Sequence, residues 1–286
     1  MSQQPVSNGR GVLYVVATPI GNLDDLSRRA IEVLGSVAHI AAEDTRHTRR
    51  LLRHHGIDTP MTPLHEHNET RVLGRIVGWL EGGESVALVS DAGTPLISDP
   101  GFPLVRECRR RGLKVSPVPG PSAVVAALSV SGLPADSFCF HGFLPRQRAA
   151  RRERLERLRW STSTLVFYES SHRIESTLAD LAEIFGGERR GCVARELTKR
   201  HEEILDGTLG ELAGLVAADP DRRRGEFVVL VAPPEQAGEE GRFEGETDQV
   251  LALLLEELPL KQAVSLAARI TGENRNLLYR RALELR

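Results

Sequence analysis

From Val12 onward the chain alternates short runs of branched apolar residues with longer amphipathic stretches, and this alternation restricts its fold more than any other feature. Strands of that kind, each followed by a helical stretch, build parallel sheets through crossover helices. In the first half Leu13–Ala17, Val37–Ala41, Ser85–Ser90 and Val115–Val118 read as strands, with a weaker one at Met61–Leu64. Helical stretches lie around Leu26–Leu34, Thr45–His54, Thr70–Leu80 and Leu104–Arg111. Each strand runs into Gly, Pro, Asp or Thr, and open α/β sheets bind ligands at the carboxyl ends of their strands. Function is therefore expected in those loops.

The 286 residues exceed the usual size of one compact unit. Residues 12–130 read as a mostly parallel α/β domain and 131–232 as a second α/β domain with a mixed sheet, because its strands cluster more closely. Those strands are Phe138–His141, Leu165–Tyr168, Cys192–Glu196, Glu202–Leu205 and Phe227–Val231, with helices near Arg151–Arg159, Arg173–Phe185 and Leu209–Val216. Residues 233–247 have the Pro, Gly and Glu content of a linker. Residues 248–286 follow as a helical segment, with helices at Val250–Leu258, Leu260–Ile270 and Asn274–Leu285 and a helix-turn-helix bend at Thr271–Gly272.

With 41% apolar and only 5% aromatic residues, the core must come from Val, Leu, Ile and Ala. A net charge of -2 excludes a binder that is basic throughout but allows local basic patches. Cys108, Cys139 and Cys192 are too scattered for a zinc site or disulfide framework, so a reducing compartment is expected. Met1 to Gly11 is polar, without the apolar stretch of a signal peptide, and no later run is long enough to span a bilayer. The expectation is a cytoplasmic protein with a frayed leader and no membrane partner.

Three loops carry the chemistry. Ala17-Thr18-Pro19-Ile20-Gly21-Asn22-Leu23 stands where a nucleotide fingerprint would, yet lacks GxGxxG and P-loop spacing, so it reads equally as a tight turn or a ligand loop. Ser90 to Gly101 holds two glycines, two prolines and two carboxylates, which suits a neutral or cationic ligand read by backbone groups. Its plainer reading is a strand-to-helix turn with Asp99 as the helix cap. Pro119-Gly120-Pro121-Ser122-Ala123 repeats the design after the next strand. His54, His55, His65 and His67 lack established zinc spacing, so no metal is expected.

The ordered segments VATPIGNLDDLSRRAIEVL, AAEDTRHTRRLL, LHEHNE, VSDAGTPLISDPG, PGPSA, GFLPR, FYESSHR and ARELTKRHEE resemble the tetrapyrrole methylase superfamily. Within it they are similar to the family of ribosomal RNA small subunit methyltransferase I, as is the C-terminal LPLKQAVSLAARITGENRNLLYRRALEL. The resemblance implies S-adenosylmethionine in a cleft between two domains, near Pro19, Asp91, Gly93, Ile97, Ser122 and Ala123, with Tyr168 and Leu197 closing the pocket. It also implies 2′-O-methylation of a decoding-centre cytidine in 16S rRNA within the small ribosomal subunit, and a homodimer. Asp44, Arg46, Glu196 and Lys199 are candidates for a base or a cation that favours alkoxide character, together with Glu43 and Arg195. Glu43 and Asp44 serve equally well as N-caps.

An RNA substrate gives meaning to the arginines. Arg46, Arg49, Arg50 and Arg53 form one cluster; Arg146, Arg148, Arg151 and Arg152 belong to another that continues through Arg159. Arg275 and Arg280 lie in the net-basic C-terminal segment. Read without a substrate, such runs are solvated helix faces. A methylase of a small macrocycle would not need these patches or the basic tail. A non-catalytic RNA-binding module would not need three intact Gly/Pro loops.

Overall fold

A computed structural model describes residues 9–65, 67–234 and 250–285, so the expected linker lies almost wholly outside the described residues, as does most of the leader. The chain forms two compact units: Met1–Val130 with Ala194–Ile204, and Ser131–Val193 with Leu205–Arg286.

The first unit is built on β1 (Val12–Val16), β2 (His39–Ala42), β3 (Met61–Pro63), β4 (Val86–Val89) and β5 (Lys114–Val118), in the order β3-β2-β4-β1-β5. Its pairings are parallel, with β4 matched to β1 and β2 through Val86 to Val89. Every residue of β4 is buried, as a central parallel strand covered on both faces must be. Alternate side chains serve opposite faces. Val16, Ile40, Ala87 and Val89 pack with Ala30 and Leu34 of α1 (Arg28–Ser36) and Leu51 and Leu52 of α2 (Thr45–His54). Leu13, Ala41, Val86 and Leu88 pack with Ile76 and Leu80 of α3 (Glu69–Glu81) and Leu104 and Cys108 of α4 (Phe102–Arg110).

One element was not expected and one expectation changes. Ala123–Val130 is a helix, α5, where the sequence showed only an apolar run; AVVAALSV has no period to mark it, and Val125 stays exposed. Asp99 is not the cap of α4: Gly101 occupies that position, and its N–H donates to Glu69 Oε1 at 3.0 Å.

The second sheet contains β6 (Phe138–Phe143), β7 (Thr164–Ser170), β8 (Arg190–Arg195), β9 (Glu203–Thr208) and β10 (Glu226–Val231), in the order β6-β7-β10-β8-β9. It is mixed, since β7 runs parallel to β6 and antiparallel to β10. Helices α6 (Arg148–Leu158), α7 (Ile174–Phe185) and α8 (Leu209–Ala218) cover it; Leu155, Leu178, Leu181 and Leu212 join Phe167 and Val229 in one core. A C-terminal trio, α9 (250–257), α10 (Leu260–Thr271) and α11 (Arg275–Glu284), has its own small core of Leu251, Val264, Ala267, Leu278 and Ala282. Gly272, left-handed at φ 76°, ends α10 and makes the bend. Among the described residues no helix is long and apolar enough to cross a membrane.

Candidate functional site

The carboxyl edge of the first sheet gathers the three loops because β4, β1 and β5 are neighbours. Thr18 and Gly93 exchange backbone hydrogen bonds at 2.9 and 3.0 Å, joining the turn after β1 to the loop after β4. Thr18 Oγ1 donates to the Ser90 carbonyl at 3.2 Å, and Thr94 Oγ1 to the Pro121 carbonyl at 3.2 Å. Ala17 N–H donates to the Val118 carbonyl at 3.2 Å. Pro19, Asp91, Gly93, Ile97, Ser122 and Ala123 are thus drawn to one sheet edge, on loops laced mainly through backbone groups. Leu96 and Ser98 hold positive φ values of 74° and 68°, a backbone cost of the kind that collects at functional loops.

The loop after β2 is laced to the same place. Asp44 N–H donates to Asp91 Oδ1 at 3.0 Å, and Asp91 N–H to Glu43 Oε2 at 3.3 Å. Burial, aided by the Glu43 and Asp91 carboxylates, pushes the Asp99 carboxyl up to about 6 against the pull of a hydrogen bond from Ser90. Sequence reasoning read Asp99 as one of two loop carboxylates or as a cap and missed this convergence, since nothing local signals carboxylates that converge from separate strands. Asp44 caps α2, accepting from Arg46 N–H at 2.8 Å. Its hydrogen bonds and ion pair with Arg46 hold its carboxyl below the usual range.

The segment from Arg195 to Glu202 forms a second part of the site in the same unit. Glu196 and Thr198 are left-handed at φ 51° and 63°. Thr198 Oγ1 accepts from Asn22 N–H at 3.1 Å, a contact that the sequence did not reveal. A Cβ on Gly21 would stand 2.5 Å from Lys199 Cγ and 2.9 Å from the Leu197 carbonyl, so only glycine lets the two turns approach. Lys199 Nζ sits 2.9 Å from Glu196 Oε1. A cavity of about 560 Å³ opens beside them, with His54, Lys199 and Arg200 in its wall and Asp24 as its acidic member. Leu197 is nine-tenths buried. Tyr168 lies on β7 in the other unit, with Phe140 and Phe143 edge-on to its ring.

The arginines divide. Arg46, Arg49, Arg50 and Arg53 all point outward from α2, whose opposite face buries Thr48, Leu51 and Leu52. On α6 the expected basic surface is partly withdrawn from solvent: Arg151 is buried, with its guanidinium 2.6 Å from the buried Asp180 carboxylate. Arg148 and Arg152 reach the same carboxylate at 3.1 and 3.3 Å. Arg146, Arg275 and Arg280 are exposed. No group of three His, Cys, Asp or Glu is placed to hold a metal among the described residues; the rings of His65 and His67 meet edge-on at 6.0 Å.

The family model for tetrapyrrole (corrin/porphyrin) methylases matches residues 12–213, and that of the RsmI C-terminal HTH domain matches residues 243–286. The chain is 56% identical over 274 residues to the ribosomal RNA small subunit methyltransferase I of Pseudomonas aeruginosa, covering 96% of this chain and 97% of that protein. The chain belongs to that methyltransferase family. The relative of the same name in Escherichia coli O157:H7 is 49% identical over 281 residues, with 98% of each chain covered. In fold this methyltransferase is similar to the solved cobalt precorrin-4 methyltransferase, with a TM-score of 0.59 at 16% identity over 81% of this chain and 98% of that one. Diphthine synthase gives a TM-score of 0.56 at 16% identity, with 82% and 94% covered. At such identities the likeness is one of architecture alone.

Proposed function

We propose that this methyltransferase moves a methyl group from S-adenosylmethionine to the ribose 2′-hydroxyl of a decoding-centre cytidine of 16S rRNA in the small ribosomal subunit. The observation that carries the reading is identity of 49% to 56% with ribosomal RNA small subunit methyltransferases over nearly the whole chain, basic C-terminal helices included. The sugar oxygen as target rests on the motif resemblance. The same reading takes the protein as a cytoplasmic homodimer, with domains at 12–130 and 131–232 and an RNA-contacting segment at 248–286.

The residues at the carboxyl edge fit the donor. Segment 90–101 contains Asp91 and Asp99 and no Lys or Arg, a donor set for a cation and not for a phosphate. Pro19, Asp91, Gly93, Ile97, Ser122 and Ala123 would hold it, with Leu197 and Tyr168 as further contacts. A bound sulfonium supplies an activated methyl group, which leaves the chain with alignment and charge as its tasks. Lys199, braced by Glu196, is the proposed cation that favours alkoxide character, and Asp44 and Arg46 are the alternatives at the α2 terminus. Arg46, Arg49, Arg146, Arg148, Arg152, Arg275 and Arg280 are the proposed phosphate contacts; Arg151, also expected on that surface, acts through its buried pairing.

Purified protein incubated with tritiated S-adenosylmethionine and 30S subunits is expected to label rRNA, with the label recovered on a ribose after nuclease digestion. Label on a base overturns the 2′-O assignment.

A further inference from the structure

We infer that Thr48 hydrogen-bonds a sugar hydroxyl of the acceptor ribonucleotide, an inference that rests on the RNA reading above. Thr48 lies on the inner face of α2 and is 2% exposed. Its Oγ1 is buried and has no hydrogen-bond partner among the described residues. A threonine within a helix can return its hydroxyl to the carbonyl four residues back, and this one does not. Buried hydroxyls without partners are rare because desolvation is left uncompensated, so each one calls for a reason.

Thr48 lines a cavity of about 20 Å³ together with Thr18, Pro19, His47, Ser90 and Asp91, among others. That is room for one polar group of water size. Of the hydroxyls in this wall, that of Thr18 donates to the Ser90 carbonyl, and that of Ser90 is taken up by the Ala92 carbonyl and the Asp99 carboxyl. Of the three, only Thr48 has both its proton and its lone pairs uncommitted, and Asp91 lines the same cavity. A hydroxyl, which can both donate and accept, meets that requirement.

Two features favour the acceptor nucleotide over the methyl donor. The outer face of the same helix carries Arg46, Arg49, Arg50 and Arg53, so a polyanion lying along α2 brings its sugars to the exposed His47 at the rim. Of the residues proposed for the donor, Pro19 and Asp91 line the cavity, whereas Gly93, Ile97, Ser122 and Ala123 do not.

Thr48→Val deletes the hydroxyl and keeps the branched shape; Thr48→Ser restores it. Three quantities are measured for both: methylation kinetics on 30S subunits, calorimetric affinity for S-adenosylmethionine, and the melting midpoint. For Thr48→Val, kcat/KM on 30S subunits is expected to fall about tenfold, as for one hydrogen bond lost from a desolvated site. Donor affinity should stay within about twofold of wild type, on the same reasoning that its contacts are untouched, and the midpoint should hold or rise because an unpaired buried group is removed. Thr48→Ser should recover most of the activity. An unchanged kcat/KM, a lowered midpoint, or a loss of donor affinity equal to the loss of kcat/KM each overturns the assignment. Wild-type protein that leaves 30S subunits unlabelled refutes the RNA reading and the inference together; a wild type that labels them beside an indifferent Thr48→Val refutes the inference alone.

Discussion

Helices α2 and α6 look alike in sequence, each a run of arginines on a helical period, and they differ in structure. On α2, Arg49, Arg50 and Arg53 are exposed and form no ion pair among the described residues, while Arg46 turns back to its own cap, Asp44. On α6, Arg148, Arg151 and Arg152 converge on Asp180 of α7, and Arg152 also pairs with Glu183. The difference lies in the neighbouring element. Where a packed helix brings a carboxylate and covers the pair, as at Arg151, the arginine becomes part of the scaffold; arginines that keep an exposed face, paired like Arg148 or unpaired like Arg49, remain available to a polyanion. Charge density in a sequence does not separate these fates, because the partner carboxylate lies on another helix.

The contrast can be broken most forcefully at Asp180. Asp180→Ala strands the buried Arg151 charge and is expected to cost about 3 kcal/mol or more in urea unfolding; a loss below about 0.5 kcal/mol, the scale of an ordinary surface substitution, would erase the distinction between the helices. Burial raises the Asp180 carboxyl, but its hydrogen bonds to Arg151 and Arg148 prevail and hold it below the ordinary value. Its folded value is depressed, so the stabilisation is present at neutral pH and drains away in acid, as pH falls below the unfolded value of 3.8 towards the folded one.

On α2 the triple change Arg49→Ala, Arg50→Ala, Arg53→Ala should leave stability within about 0.5 kcal/mol. Filter binding to 30S subunits should weaken by about 10- to 100-fold, with a salt dependence shallower by about 2 in logarithmic slope. Binding that keeps its slope would show that this face is not where the RNA lies.

A smaller effect is expected at the carboxyl edge. The folded Asp99 value of about 6 lies above its ordinary 3.8, so between those values the folded protein holds a proton that the unfolded chain releases. Stability therefore declines as pH rises through that window, and Asp99→Asn should remove the decline. Melting curves from pH 4 to pH 7 check this, and parallel curves for the two proteins would refute it. Smallest of all is the change at Asp44: Asn keeps the capping acceptor and Ala does not, so Asp44→Ala should lower the melting midpoint and Asp44→Asn should not. Activity lost in Asp44→Asn with its midpoint intact would promote Asp44 from cap to catalytic candidate.

Much of the architecture was legible because it is local. Helix α2 begins at Thr45 and ends at His54, as its period requires, and the buried strands fall within a few residues of their apolar runs. Helix α5 escaped because an octet with Ser129 as its one polar residue has no period to read. The Gly/Pro loops were visible as loops with a purpose. Their lacing through Thr18, Gly93, Thr94 and Pro121 was not, since those contacts join residues from separate strands.

The sequence alone determined the alternation of strands and helices, the order of the family motifs and the loops in which chemistry must sit, because each depends on neighbours within a few residues. Tertiary structure decided which arginines are spent on carboxylates, why the Asp99 carboxyl is pushed up, where Arg195–Glu202 meets the first turn, and that the hydroxyl of Thr48 is left unpaired. Pairing and desolvation depend on what the rest of the chain brings within a few ångströms, and no local pattern of residues contains that.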